Sequence, residues 1–459
     1  MKKWKEPLKN KKKSRSMKLT YNLIFVFLGL VTCQMAAQET VLSREEAVKK
    51  ALEANYGIKI SGNEVEIAEN NQTIWNSGYL PSLRGLAGAT YDLNDRTTEI
   101  EGQETVEQND LENERYSGSV NVDYLLFDGL GRYYNFRSLK EEFRLSKLEA
   151  RETIENTILQ LFTVYFEIAR LYENVDVLEE SLRISRDRVL RAQYQFEYGQ
   201  TNNLSVLNAR VDVNNDSISL LQARQQLKNT KRDLNVLLDQ EVSDMDYLVD
   251  TTVSFMPRLH IENLIASAQE NNVRILQSES AIVISEYQTK VSKSGYLPSV
   301  GLSGSYGWNQ NIGAPTAFFP GSTTTTTGLS AGLSLSWGIF DGGRSRVQVQ
   351  NSRIMNDTRK LLKEQIRKEV QRDIENALGT YENKLYIFQV QEDNVATNLD
   401  NFNRTQEQYK LGQVTSIEFR QAQTNLLNAR TSLNLAKYEA KLAEMELLRL
   451  TGQLLDVRL

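Results

Sequence analysis

Gly328-Leu329-Ser330-Ala331-Gly332-Leu333-Ser334-Leu335-Ser336-Trp337-Gly338-Ile339 is the stretch that decides the fold. Leu329, Ala331, Leu333, Leu335, Trp337 and Ile339 fall on one face of an extended chain, and only Gly and Ser fall on the other. Successive side chains of a strand point to opposite faces. An apolar face against a small polar one over about ten residues, with aromatics near the ends, marks a strand with lipid on one side and water on the other. A soluble sandwich strand also buries one face. The Ser/Gly-rich second face and the export signal described below favour the membrane reading.

Three further segments carry the same alternation. From Tyr296, Val300, Leu302, Tyr306 and Trp308 oppose Ser299, Gly301, Ser303, Ser305 and Gly307. In 116–127, Val120, Val122, Tyr124 and Leu126 oppose Ser117, Ser119, Asn121 and Asp123, and 79–91 is weaker but compatible. The spacing predicts strands over 79–91, 116–127, 296–309 and 328–340. Between the members of each pair run long polar loops, 92–115 with nine acidic and two basic residues, and 310–327 with Thr323 to Thr327. Loops of this length on a barrel face outward.

The four strands belong to an internal duplication. Gly78-Tyr79-Leu80-Pro81-Ser82 recurs as Gly295-Tyr296-Leu297-Pro298-Ser299, and Phe127-Asp128-Gly129 as Phe340-Asp341-Gly342. Tyr198-Gly199-Gln200 corresponds to Leu411-Gly412-Gln413. Each half reads helix, strand, loop, strand, long helix, turn, long helix. The first repeat covers 38–240 and the second 259–459, and an acidic, non-periodic linker at 241–258 joins them.

The helices are unusually long. No proline lies between Pro81 and Pro257 or after Pro320, and an interior proline would break a helix. Ser43 with Glu46 has capping-box spacing, so a helix is expected from Ser43 to about Asn76. Its counterpart runs from about His260 to Ser294. Tyr133 to Tyr198 contains neither Gly nor Pro. Ile158, Leu161, Tyr165, Ile168, Tyr172, Val175, Leu182, Val189 and Phe196 form a narrow coiled-coil-like seam along it. Helical throughout, that segment is a rod on the order of 100 Å long. It folds back at Gly199 into a second helix reaching about Leu238, and the second repeat makes the same hairpin with its tip at Gly412. Helices polar on most sides suit the wall of a hollow duct.

Residues 1–37 read as an export signal: a basic stretch from Lys2 to Lys18, an apolar run from Leu23 to Val31, and a small-residue site at Ala36-Ala37. The apolar run is too short to span a bilayer. Met1 and Met17 both stand as start sites. Cys33, the only cysteine, is either a bystander in the signal or a lipidated N-terminus, and neither reading gives a disulfide framework. Without 1–37 the chain has 45 basic and 58 acidic residues, a formal charge of −13. Such a balance argues against a nucleic-acid partner.

Four strands cannot close a barrel, and an open edge in lipid leaves backbone groups unpaired at several kcal/mol each. The edges must therefore pair with other copies. Two copies give eight strands, nearly filled by side chains, whereas three give twelve and a water-filled lumen. The fold class expected is mainly α with a membrane β part: a trimeric 12-stranded barrel continuous with a long helical barrel. Catalysis finds no support. The single histidine, His260, sits in a polar helix, and no phosphate loop, nucleophile elbow or metal-ligand cluster occurs. No cofactor and no metal are expected. A non-conducting envelope scaffold is the alternative to a duct.

The ordered set of these motifs resembles the TolC-like outer membrane efflux protein family, over essentially the whole chain after the signal. Asn208-Ala209-Arg210 after the first tip and Asn428-Ala429-Arg430 after the second add to the likeness. The resemblance implies a homotrimeric duct that crosses the outer membrane and extends into the periplasm. Its implied partners are outer-membrane lipid, a periplasmic adaptor, and an inner-membrane pump of the proton-driven RND or the ABC type, for efflux or type I secretion. It also implies adaptor docking at Gly199, Gln200, Gly412 and Gln413, and an entrance closed by residues near the tips. Glu418 keeps the acidic position of that entrance and Tyr409 the tyrosine. Gln421, Ser205 and Val414 depart from the acidic, acidic and basic positions. Three Glu418 carboxylates around a threefold axis would repel, so a raised carboxyl pKa is expected there.

Overall fold

The computed structural model describes residues 40–102, 104–243, 247–256, 261–316 and 319–455. The export segment 1–37, with Met17 and Cys33, and also His260 lie outside the described residues. The first half contains β1 (Thr40–Leu42), α1 (Arg44–Ala54), α2 (Tyr56–Asn71), β2 (Ser82–Thr98), β3 (Val106–Phe127), α3 (Gly131–Glu197) and α4 (Asn203–Leu237). The second contains β4 (Tyr247–Val249), α5 (Ile261–Asn271), α6 (Val273–Ser294), β5 (Ser299–Gly313), β6 (Ser322–Ser336), α7 (Arg344–Lys410) and α8 (Ser416–Leu450). α3 and α7 are both 67 residues long, and α4 and α8 are both 35.

β2, β3, β5 and β6 form one antiparallel sheet in the order β2-β3-β5-β6. Its register stacks Leu83, Val122, Gly304 and Ala331 in one row and Gly85, Val120, Tyr306 and Leu329 in the next. The alternation of side chains then gathers Leu302 and Leu333 on that same face. Asn121, Ser305 and Ser330 share the other face, where Arg84 and Asp123 pair at 2.5 Å. β2 and β6 are the outer strands, each with one edge unpaired among the described residues.

The strands are longer than their alternation suggests, and the expected loops 92–115 and 310–327 are largely strand. β2 and β3 continue as a hairpin up to the pair Thr98↔Val106, and β5 and β6 up to Gly313↔Ser322. Polar residues occupy both faces there, so the apolar alternation ends while the backbone ladder continues. At the other end, β2 begins at Ser82 and β5 at Ser299, just beyond Pro81 and Pro298. β6 stops at Ser336, leaving Trp337 and Ile339 outside it. The Phe-Asp-Gly exits start the next helices. The Asp128 carboxylate accepts from Arg132 N at 2.7 Å, and Asp341 accepts from Ser345 N at 2.8 Å.

The helices expected over 43–76 and 260–294 are each broken in two by an asparagine. Asn55 Oδ1 accepts from Gly57 N and Ile58 N, capping α2, while its Nδ2 donates to the Leu237 carbonyl at the end of α4. Asn272 repeats both halves of this arrangement: Oδ1 accepts from Arg274 N and Ile275 N, and Nδ2 donates to Leu450 O at 2.8 Å. An amide side chain serves a helix start and a helix end at once.

Near the sheet the helices lie side by side in the order α2, α3, α6, α7, and farther away in the order α4, α3, α8, α7. The largest buried cluster lies at the junction, around Phe162, Tyr165, Phe166, Leu234 and Met445. Part of the expected linker is ordered there. β4 pairs in parallel with β1, and the Tyr165 hydroxyl donates to Leu42 O at 2.7 Å and accepts from Asp250 N at 2.9 Å. The seam of α3 is buried at Ile158, Leu161, Ile168, Val175 and Leu182, but Phe196 is exposed because it lies in the last turn beside the tip.

Candidate functional site at the hairpin tips

Both tips are built alike. Gly199 (φ +72°) and Gly412 (φ +74°) hold left-handed conformations that other residues rarely adopt. Gly199 N donates to Phe196 O and Gln200 N to Gln195 O at 2.7 Å. Gly412 N donates to Tyr409 O and Gln413 N to Gln408 O at 2.9 Å. These are Schellman closures, which satisfy the last carbonyls of α3 and α7. The N-cap of the next helix comes three residues after each glycine. Asn202 accepts from Ser205 N, and Thr415 forms a complete capping box with Glu418.

The structure gives the residues expected at the entrance separate surroundings. Glu418 Oε2 accepts from Thr415 N at 2.7 Å and from the Thr415 hydroxyl at 2.8 Å. The backbone bond and then the hydroxyl bond hold its carboxyl below the ordinary carboxylate value. Two donors favour the ionised form, so within one chain the cap acts opposite to the repulsion expected among three copies. The spacing Thr415-Ser416-Ile417-Glu418 signals this cap in the sequence. Tyr409 is buried, stacked on Phe419 with centroids 4.8 Å apart at 4°, with Arg191 over its ring at 5.2 Å. Val414 packs against the same cluster, so the expected basic position is part of an apolar plug. Gln421 is exposed and donates to Asn425 Oδ1. Ser205 is half-buried beside Thr201 at the first tip.

A polar cluster that sequence reasoning missed joins the two hairpins just above the tips. Arg420 of α8 donates to both Asp216 oxygens of α4 at 2.8 and 2.7 Å, and to Ser185 Oγ of α3 at 3.1 Å. The Asp216 carboxylate raises the Arg420 guanidinium above its ordinary value. Gln423 of α8 donates to Ser181 O and Ser185 Oγ, and buried Arg188 pairs with Asp212. Its signal was readable: Asp216 shares the helical phase of the buried residues Ala209 and Leu220, and Ser185 that of Leu182. Charged groups on a buried phase need partners.

Two segments, 47–239 and 264–453, match the family model described as outer membrane efflux protein. The chain belongs to the outer membrane efflux protein family. Among curated relatives, the outer membrane efflux protein BepC of Brucella suis biovar 1 is 23% identical over 430 residues, covering 93% of this chain and 88% of that one. The outer membrane protein TolC of Vibrio cholerae is 20% identical over 380 residues, covering 82% and 83%. In fold, the CmeC outer membrane channel of Campylobacter jejuni superposes with a TM-score of 0.73 at 17% identity, covering 90% of this chain and 86% of that one. The open MtrE outer membrane channel of Neisseria gonorrhoeae gives 0.69 at 15% identity, covering 90% and 89%. Members of the family are outer-membrane channels, not enzymes, with helices reaching into the periplasm. Among the described residues, no group of three or more His, Cys, Asp or Glu side chains is placed to hold a metal.

Proposed function

We propose that three copies of this chain share one twelve-stranded barrel and form a passive exit duct for cargo delivered by an inner-membrane pump through a periplasmic adaptor. One observation carries this reading: a four-stranded sheet with one apolar and one small-polar face ends in two unpaired edges, β2 and β6. In lipid such edges must be paired. Pairing β6 of one copy with β2 of the next removes every edge when the ring closes, and twelve strands leave an aqueous lumen. The repeated element order fits a duplicated plan with repeats at 38–240 and 259–459. The tips at Gly199, Gln200, Gly412 and Gln413 are the adaptor contacts, and Glu418, Gln421, Tyr409 and Ser205 lie around the entrance. The pump is of the RND or ABC type, the two classes that the likeness to this family implies.

The mass of the detergent-solubilised protein and its conductance in planar bilayers test the reading together. A mass of three chains with ion conductance supports it. A monomer overturns the shared barrel, and a trimer that never conducts, even with the tips removed, favours a scaffold.

A further inference from the structure

Beside the tips, a cleft of about 390 Å³ lies between α3 of the first hairpin and α7 of the second, with Phe419 of α8 also in its lining. Four cationic residues line it, Arg183, Arg188, Arg191 and Lys410, against one carboxylate, Asp187. In a chain of net negative charge this is a local reversal of sign. At the rim Arg183 stands 3.7 Å from Asp187 with both side chains largely in water, and Lys410 meets Glu407. Exposed pairs of this kind contribute little and yield to a better-placed anion. Leu190 and Tyr194 add exposed apolar surface, and the Arg191 guanidinium lies over the Tyr409 ring at 5.2 Å. An apolar wall with a few placed charges is the composition of a ligand site. Arg188 supplies the decisive observation. It is 2% exposed and pairs with Asp212 through Nη2, while its Nε and Nη1 are buried with no hydrogen-bond partner among the described residues. Buried polar groups are ordinarily hydrogen-bonded, so unmet guanidinium donors in the lining of a cleft mark a place for an acceptor.

We infer that this cleft binds a small organic anion, an aromatic carboxylate, with its charged head among the arginines and its ring against Leu190 and Tyr194. A carboxylate suits guanidinium donors in both charge and geometry. A flat ring suits the faces of tyrosine and arginine side chains. The cleft is complete within a single chain, so the inference goes beyond the exit duct proposed above and does not rest on the shared barrel. Its occupant touches α3 on one side and α7 on the other. Binding therefore holds the two hairpins at their present spacing and opposes movement of one against the other.

Equilibrium dialysis of the full-length protein in detergent micelles against radiolabelled 2-naphthoate, with protein-free micelles as the blank, tests the site. Saturable binding of one molecule per chain is expected. The neutral 2-naphthamide, of the same shape, should bind about tenfold more weakly or worse, since it loses the charge-assisted bonds. Arg183→Gln with Lys410→Gln, at exposed positions that leave the fold intact, should weaken naphthoate by a similar factor and leave the amide unchanged. Arg188→Gln should weaken it further. Equal binding of acid and amide, a double variant that binds like wild type, or no saturable binding at millimolar concentration overturns the site. Hydrogen exchange locates it independently: naphthoate should slow amide exchange in α3 around 183–194 and at the start of α8. Slowing confined to other segments overturns the assignment to this cleft.

Discussion

Arg420 grips Asp216 with both terminal nitrogens, at 2.8 and 2.7 Å, and so fastens the second helical hairpin to the first. Asp216 is almost fully buried, whereas Arg420 keeps a fifth of its side chain in water. Removing one partner of such a pair strands the other. Arg420→Leu should cost on the order of 2–4 kcal/mol, less than a fully buried pair because water reaches the guanidinium. Hydrogen exchange should locate the loss in α4 and α8 near the tips, with the sheet unaffected. Asp216→Asn should cost less, since the amide oxygen still accepts.

Glu418 separates a structural role from an electrostatic one. Its carboxyl is held low by Thr415, so folding favours the charged form. That contribution is complete above the unfolded carboxylate value, roughly pH 4.3, and fades as pH falls through the lower folded value. Amide protection at the start of α8 should therefore weaken in acid in the wild type. Glu418→Gln keeps the capping-box geometry and loses the charge. Its protection should not change in acid, and its cation selectivity in planar bilayers should fall if the carboxylates face the axis. Unchanged selectivity would remove Glu418 from the entrance.

Leu333 and Ser334 are neighbours that face opposite ways, across from Leu302 and Gly301. Leu333→Arg should cost roughly 2–4 kcal/mol if it lies near the bilayer midplane, and Ser334→Arg little. Refolding titrations into lipid vesicles measure both. Equal losses would overturn the assignment of faces.

Gly412 has φ +74° with nothing within 4 Å of an added Cβ. Gly412→Ala thus meets only backbone strain of about 1 kcal/mol, and Gly412→Pro cannot form the turn at all. The proline variant should still assemble but lose cargo export, read as drug susceptibility or secreted product. Full export from a chain carrying both Gly199→Pro and Gly412→Pro would exclude docking at the tips.

Tyr165 ties β1 to the segment after β4, and burial pushes its phenol up to about 12. It stays neutral and can donate throughout the physiological range. Tyr165→Phe leaves Leu42 O and Asp250 N without that partner, a loss of about 1–3 kcal/mol. Protease cleavage before Arg44 should become faster.

Much of this was legible because periodicity carries it. Alternation at 328–336 and seven-residue spacing along α3 report local geometry directly. Asn55 and Asn272 were not legible as breaks, since their decisive partners, Leu237 and Leu450, lie about 180 residues away. The strand extensions were hidden because water on both faces erases the alternation. At the tips, the glycines announced their turns. The spacing from Thr415 to Glu418 carried the cap, whereas the stacking of Phe419 on Tyr409 joins two helices and had no local signal. In the Arg420 cluster the burial of Asp216 and Ser185 was readable from helical phase, but their partners were not, because three helices converge there.

The two capping asparagines carry a chemical restriction. Each must give a proton to one helix and receive protons from another through atoms on a single planar group. A carboxylate of the same shape would keep the receiving half and press negative charge on the negative pole of the helix behind. A hydroxyl is too short to reach both, and one more methylene moves the group out of position. At these two corners the bend in the wall is written in a side chain with no close substitute.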